Sequence, residues 1–276
     1  MPTGTLYVVA TPIGNLGDLT LRAIETLRAV DRVVAEDTRR TRALLSHLGI
    51  AGKPVDRIDA HAGAADVARV VDRVVAGERA ALVTDAGTPV VSDPGAALVR
   101  AALDAGALVV PVPGPCAAVA ALSVSGLVAG GFRFVGFLPR SGPERRAAIA
   151  LVAATPEPVV IYESPQRIAE TLADLARPMP GRAAMVAREL TKVHEETARG
   201  TLADLAAAPR EWIGEITLVL GPAEGGAAEV DDAEIDRRIV EGLAAGRRAK
   251  DLAEEIAIET GAPRREVYAR IVAKRR

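Results

Sequence analysis

At 276 residues the chain has room for two ordinary domains, each with its own core. Hydrophobic residues at 49%, charged residues at 25% and a net charge of -2 describe a globular protein and exclude a uniformly basic nucleic-acid binder, so that any such contact is a local patch. The single cysteine, Cys116, excludes an intrachain disulfide and a cysteine-cluster metal site and suits a reducing cytoplasm, while three histidines leave few ligands for zinc or di-iron.

Met1-Pro2-Thr3-Gly4 carries no basic segment ahead of an apolar one, so no signal peptide is expected, and Thr5 to Ala10 reads as a strand. Thr11 to Gly17 is a loop with two glycines, after which Asp18 is placed to cap a helix bearing Leu21, Ile24 and Leu27 on one face. The spacing is not GxGxxG, which excludes the fingerprint of a dinucleotide-dependent oxidoreductase. A second strand, Asp31 to Ala35, ends in Glu36-Asp37-Thr38-Arg39-Arg40-Thr41-Arg42. A solvated helix start, with acids at its positive end, has this composition; three arginines in four residues also suit phosphate recognition.

Val55 to Ile58 reads as a third strand, and Ala64 to Val75 as a helix with Val67, Val70, Val71 and Val74 on one face. Ala80 to Val83 is a buried strand spilling into the turn Thr84-Asp-Ala-Gly-Thr-Pro-Val-Val-Ser-Asp-Pro-Gly95, the kind of place where open α/β sheets bind small molecules. Ser92 ahead of Pro94 predicts a capped helix running through Val99, Ala102 and Leu103. A fifth strand, Ala107 to Val112, ends in Pro113-Gly-Pro-Cys-Ala-Ala118. Strands alternating with helices over this half predict a parallel sheet covered on both faces. Ala105 to Phe132 is uncharged and long enough to span a bilayer, but Pro111, Pro113 and Pro115 argue for buried core instead.

A hinge of small residues from Ser125 to Gly131 separates a first domain, 1–126, from a second, 127–221. Phe132 to Phe137 is an alternating strand, and Leu138 to Arg146 a mobile basic loop. Pro158 to Tyr162 is a strand whose exit, Glu163-Ser164-Pro165, predicts a helix cap before Ile168, Leu172 and Leu175. Ala183 to Ala187 and Trp212 to Leu220 complete a mixed sheet. A Gly/Ala/Glu linker from Gly221 to Val230 opens the region 222–276, where Ile235, Ile239 and Leu243, then Leu252 and Ile256, then Val267, Tyr268, Ile271 and Val272 mark three helices, with Gly261-Ala262-Pro263 as a turn. From Gly246 onward nine Lys/Arg face five Asp/Glu, as in a small packing appendage, a dimer arm or a substrate-docking arm.

There is no GxSxG elbow, no GxxxxGK[ST] and no HExxH, and His47 and His61 read as ordinary surface or core residues. The special turns at strand ends are expected to converge on one cleft between the domains.

In order along the chain, TPIGNLGDLT, AEDTRRTRALL, TDAGTPVVSDPG, VPGPCAAVAALSVSGL, FVGFLPR, YESPQR and RELTKVHEETARGT resemble the ribosomal small subunit methyltransferase I family. These are 16S rRNA (cytidine-2'-O)-methyltransferases on the tetrapyrrole-methylase, class III S-adenosylmethionine fold. The resemblance implies a two-domain α/β protein with a parallel-sheet N-terminal domain, a mixed-sheet second domain and a C-terminal helical extension. It implies a cytoplasmic homodimer that needs no metal and methylates the ribose 2'-hydroxyl of a decoding-region cytidine. S-adenosylmethionine is then expected against Pro12, Asp85, Ala86, Gly87, Thr88, Cys116, Ala117, Tyr162, Gly214 and Glu215. The sequence departs from the family at Ser141, for a usual lysine, and at Gln166, Cys116 and His194. Such a cofactor brings its own electrophilic carbon, leaving the protein to align the acceptor and take its proton. Glu36, Asp37, Glu189 and Lys192 are the candidates for that chemistry, and Arg39, Arg40, Arg140, Arg145 and Arg146 for holding RNA phosphates. A tetrapyrrole methyltransferase on the same fold and a non-catalytic RNA-binding module are the alternatives.

Overall fold

The computed structural model describes residues 4–128, 130–223, 232–260, 262 and 264–274. The first three residues, most of the expected linker (224–231), and Gly261 and Pro263 of the expected turn lie outside these.

Five short apolar strands, β1 (Thr5–Val9), β2 (Arg32–Ala35), β3 (Val55–Arg57), β4 (Arg79–Val83) and β5 (Leu108–Val112), form one sheet in the order β3-β2-β4-β1-β5. Every neighbouring pair is parallel, as the alternation with helices predicts. Because successive side chains of a strand point to opposite faces, Leu82 joins one core and Ala81 and Val83 the other. The first core is closed by α3 (Ala64–Val75) and α4 (Ala96–Asp104), the second by α1 (Leu21–Ala29) and α2 (Thr38–His47).

Two helix starts differ from expectation. Asp18 ends a single 3-10 turn, and it is Thr20 whose hydroxyl accepts from the Ala23 N–H at 3.1 Å, so Leu21 points outward while Ala23 and Leu27 are buried. Ser92 is no cap, because its φ of 63° is left-handed where an N-cap is extended. The chain turns through Gly95 before α4 begins, and this faces Leu98 and Ala102 inward and Leu103 outward.

The second sheet contains β6 (Arg133–Phe137), β7 (Val159–Glu163), β8 (Ala183–Arg188), β9 (Glu196–Thr201) and β10 (Ile216–Leu220), ordered β6-β7-β10-β8-β9. Only β6 and β7 run parallel, so the sheet is mixed as expected. The polar edge strand β9, Glu-Thr-Ala-Arg-Gly-Thr, has no apolar alternation and was not foreseeable from pattern; it pairs with β8 along its whole length. Residues 212–215, expected as strand, precede β10 as loop. Leu138 to Arg146 is not a free loop either, since α6 (Gly142–Ala153) starts within it, and Ser164 opens a turn ahead of α7 (Ile168–Ala176) rather than capping it.

One face of this sheet is covered by α6, α7 and α8 (Leu202–Ala207). The other receives α5 (Ala117–Ser125), whose Ala118 and Ala121 pack on Val160, Met185 and Val219. Thus α5, although it precedes residue 126, belongs to the second core. The uncharged stretch is buried only in part, because Val119 and Val124 on α5 face outward. Among the described residues no helix is long and apolar enough to cross a membrane. Beyond β10, α9 (Asp232–Ala244), α10 (Ala249–Thr260) and α11 (Arg264–Lys274) share a core of Ile235, Ile239, Leu252, Ile256, Val267 and Ile271, as their spacing predicts, but Tyr268 and Val272, each one position further round α11, face outward.

Arg182 is the buried fastener of the second unit. Its guanidinium donates to the carbonyls of Gly221, Val152, Thr155 and Glu157 at 2.8 to 3.1 Å, joining the ends of β10 and α6 to the approach to β7. Four carbonyls lose a buried donor together if the fork is removed, and each unsatisfied group costs about 1–3 kcal/mol. Arg182→Ala is therefore expected to lower stability by at least about 3 kcal/mol in urea unfolding, and Arg182→Lys, with no planar fork, to recover only part of it.

Candidate functional site

Three loops leave the carboxyl ends of the adjacent strands β4, β1 and β5, the position at which open parallel sheets bind ligands. They are tied to one another. Thr11 and Gly87 exchange backbone hydrogen bonds at 2.8 and 3.0 Å, the Thr11 hydroxyl donates to the Thr84 carbonyl at 3.0 Å, and the Thr88 hydroxyl donates to the Pro115 carbonyl at 3.0 Å. The second sheet meets these loops at two places where a side chain has been dispensed with. At Gly14 a Cβ would collide with the Lys192 stem, and the neighbouring Asn15 N–H donates to the Thr191 hydroxyl at 3.1 Å. At Gly136, where β6 bulges and φ is 71°, a Cβ would lie 2.7 Å from the Ser92 hydroxyl.

Between the two sheets these contacts enclose two adjoining cavities. The first, of about 330 Å³, is largely apolar, with Ile13, Val91, Phe137, Leu190 and Ile216 in its wall. Ala86, Gly87, Thr88, Cys116, Ala117, Tyr162, Gly214 and Glu215 of the expected cofactor set all line it. The second, of about 430 Å³, holds Arg40, His47 and Lys192. Ile13, Ala86 and Glu215 belong to both walls.

Two expected cofactor residues are placed otherwise. Pro12 and Asp85 line the second cavity alone, and the Asp85 carboxylate is already engaged, accepting from the Asp37 N–H at 3.1 Å and facing Arg40 at 3.5 Å. Conversely, Asp93 and Phe137, expected only as part of a helix start and as a strand residue, line the first cavity, and His47 lines the second. No spacing rule reaches Asp93, because its position depends on the left-handed turns at Val90 and Ser92.

The four candidates for proton chemistry separate by environment. Asp37 caps α2 and is bound by Arg39, whose guanidinium and N–H hold its carboxyl down to about 2. Glu36 lines neither cavity; its carboxylate accepts from Thr84 at 3.4 Å, and burial, then the neighbouring Asp85 charge, raise its pKa. Lys192 stands at the second cavity with its ammonium 2.8 Å from Glu189 and 3.0 Å from Glu215. Desolvation works against that ammonium but the two carboxylates overcome it and raise its pKa, while Lys192 and the Glu215 N–H hold Glu189 low against its own desolvation. The loop carrying the pair has Glu189 and Thr191 at φ of 51° and 68°, a strained path that fixes Lys192 against Gly14.

Among the arginines, Arg39 is 89% exposed and Arg40 66% exposed, and Arg140 and Arg146 are also at the surface. Arg145 is not. It is 4% exposed, bound to Asp174 at 2.9 Å, the Thr171 hydroxyl at 3.0 Å and the Pro139 carbonyl at 3.2 Å, so it holds α6 to α7 and has no face for a phosphate.

Residues 5–206 match the family of Tetrapyrrole (Corrin/Porphyrin) Methylases. The chain is 41% identical to "Ribosomal RNA small subunit methyltransferase I" of Halalkalibacterium halodurans, over 96% of this chain and 93% of that one, and 47% identical to its namesake in Xylella fastidiosa, over 96% and 98%. The chain belongs to the ribosomal RNA small subunit methyltransferase I family of tetrapyrrole methylases. Its fold is shared by a uroporphyrin-III C-methyltransferase from Thermus thermophilus complexed with S-adenosylhomocysteine, at a TM-score of 0.54 and 20% identity over 79% of this chain and 97% of that one.

The first cavity fits the methyl donor of such a family. A largely apolar wall suits an adenosine, and two carboxylates, Asp93 and Glu215, with no Lys, Arg or His among the described lining residues, suit a ligand carrying a sulfonium and an ammonium; Glu163 also borders the cavity, but its carboxylate is buried against Thr171 and Arg167. Asp93 is the sensitive one: burial, aided by Glu36 and Asp85, pushes its carboxyl up to about 6. A raised folded-state value means that its contribution is complete below the unfolded value near 3.8 and is lost as pH rises through about 6. Asp93→Asn in the free protein is accordingly expected to leave the melting temperature unchanged near pH 4 and raise it at pH 8, measured by calorimetry in matched buffers.

Proposed function

We propose that this chain transfers the methyl group of S-adenosylmethionine to the ribose 2'-hydroxyl of a decoding-region cytidine in 16S rRNA, acting in the cytoplasm as a homodimer. The observation that carries the reading is the pair of cavities meeting at Ile13, Ala86 and Glu215, one acidic and apolar, the other bearing Arg40, His47 and Lys192. A donor on one side of that wall and an anionic acceptor strand on the other gives the in-line approach that methyl transfer needs. The exposed Arg39 and Arg40 favour a polyanion over a tetrapyrrole macrocycle, and the outward Val119 and Val124 of α5 support a partner copy.

The bound cofactor supplies an electrophilic methyl carbon, so the chain's own residues need only bind, orient and manage one proton. Ile13 and Ala86 form the boundary across which donor and acceptor would meet, and Gly14 leaves room for the Lys192 stem on the acceptor side. The Lys192 ammonium, kept protonated by Glu189 and Glu215, is a donor rather than a base; it hydrogen-bonds the ribose oxygen and favours charge developing there. Glu215, on the shared wall, is the carboxylate placed to accept the hydroxyl proton as the new carbon–oxygen bond forms. Arg39 and Arg40 then hold the flanking phosphates.

Small ribosomal subunits lacking this methylation, incubated with the protein and labelled S-adenosylmethionine, are expected to gain one methyl in 16S rRNA. The adjacent phosphodiester should become resistant to alkali; label on a base, or none in RNA, would overturn the reading. Lys192→Met is expected to lower kcat on the order of 100-fold while S-adenosylhomocysteine affinity stays within about threefold.

The RNA role of the cationic rim is tested separately. Arg40→Ala should raise KM for the RNA and reduce the slope of log affinity against log salt by about one phosphate contact, with no change in cofactor binding. Loss of cofactor binding instead would assign Arg40 to holding Asp85.

A further inference from the structure

Of the three carboxylates in the acidic cavity, two are already answered. Glu163 accepts from the Thr171 hydroxyl at 2.7 Å and the Ser164 N–H at 2.9 Å, with Arg167 at 3.5 Å, and Glu215 is paired with Lys192 at 3.0 Å. Asp93 takes part in none of the ion pairs found among the described residues, and its polar neighbour is the Thr84 hydroxyl. It is half-buried, and it is held in the cavity wall by a loop with two left-handed non-glycine residues, Val90 and Ser92, pressed against Gly136 of the second sheet. Backbone strain of this kind costs about 1–3 kcal/mol per residue, and here it is spent on keeping an unpaired carboxylate against the ligand space.

The surroundings make that carboxylate a detector of positive charge. Glu36 from the end of β2 and Asp85 from the end of β4 add negative potential, the latter tempered by Arg40. From the second sheet the facing groups are Tyr162, whose own pKa burial and Cys116 raise, and the two satisfied glutamates. Among the described residues no Lys, Arg or His lines this cavity. The charge it lacks must arrive with the ligand.

We propose that Asp93 reads the charge on the cofactor's sulfur, pairing with the sulfonium of S-adenosylmethionine and so favouring the methyl donor over its neutral thioether product. The proposal rests on the methyl-donor reading of the cavity and goes beyond it by assigning the discrimination to one side chain. Asp85, whose charge reaches Asp93, lines the second cavity, which puts the Asp93 carboxylate toward the junction where the reacting sulfur must lie rather than at the adenine end. When the methyl leaves, the sulfur loses its charge and Asp93 loses its counter-ion. Product is thereby weakened in its site by the same group that held the donor.

Calorimetry on the full-length protein with four ligands tests this. Asp93→Asn is expected to weaken S-adenosylmethionine about tenfold and S-adenosylhomocysteine less than twofold, as a single partly screened charge pair allows. Sinefungin, which carries an amine in place of the methylated sulfur, should follow the donor, and 5'-methylthioadenosine the product. In the unaltered protein, donor affinity should fall between pH 7 and pH 5 while product affinity does not, a readout that needs no variant. Equal losses for donor and product would overturn the proposal by placing Asp93 at the ammonium or ribose, which both share, and so would no loss for either. If neither ligand binds the unaltered protein, it is the cofactor reading that fails.

Discussion

The reciprocal backbone hydrogen bonds between Thr11 and Gly87 are the constraint on which the site depends. They join the loops leaving β1 and β4 outside the sheet, where strand pairing has ended, and so carry the register of the parallel sheet into the ligand space. Thr88 extends the tie to the loop after β5 through Pro115. Once these are fixed, Ile13 and Ala86 become the wall shared by the two cavities, and the strained turn through Val90 and Ser92 has a rigid base from which to present Asp93. The site is thus an extension of the fold's hydrogen bonding.

The opposite wall is organised by close approach. The second sheet can come to the first only because Gly14 and Gly136 omit side chains where Lys192 and Ser92 arrive. Behind this wall Arg182 and Arg145, both buried and multiply bonded, fasten the helices of the second unit to its sheet. The arginines of the chain therefore differ in setting: Arg182 and Arg145 are bonded in the interior, whereas Arg39 and Arg40 in the first turn of α2, paired with Asp37 and Asp85, remain largely exposed.

Much of the architecture was legible because it follows from periodicity. The valines of α3 and the continuous apolar runs of β2 and β4 suit only a helix face against a sheet covered on both sides, and the structure buries them so. What was illegible follows from long-range geometry. Arg145 looks like its neighbours Arg140 and Arg146 until α7 brings Asp174 to it. Edge strand β9 carries no apolar signal because neither of its faces is wholly buried. At the site, the ordered motifs carried the resemblance that located the Ala86 to Thr88, Cys116 to Ala117 and Gly214 to Glu215 segments, whereas the division of labour between Asp85, turned to Arg40, and Asp93, left facing the cavity, arises only from folding.

That division gives the cleft an electrical direction. On one side is Asp93, in no ion pair among the described residues, on the other Arg40, His47 and Lys192, and at the boundary stands Glu215, bound to Lys192 and lining both cavities. A cationic donor and a polyanionic acceptor are each drawn to their own side, and each is disfavoured on the other. In the proposed transfer the sulfur loses its positive charge and the hydroxyl gives its proton to a base, so the donor alone changes net charge while the acceptor group is neutral before and after. On that reading the field binds and orients the two reactants, and it speeds the reaction only through the charge it stabilises between them in the transition state.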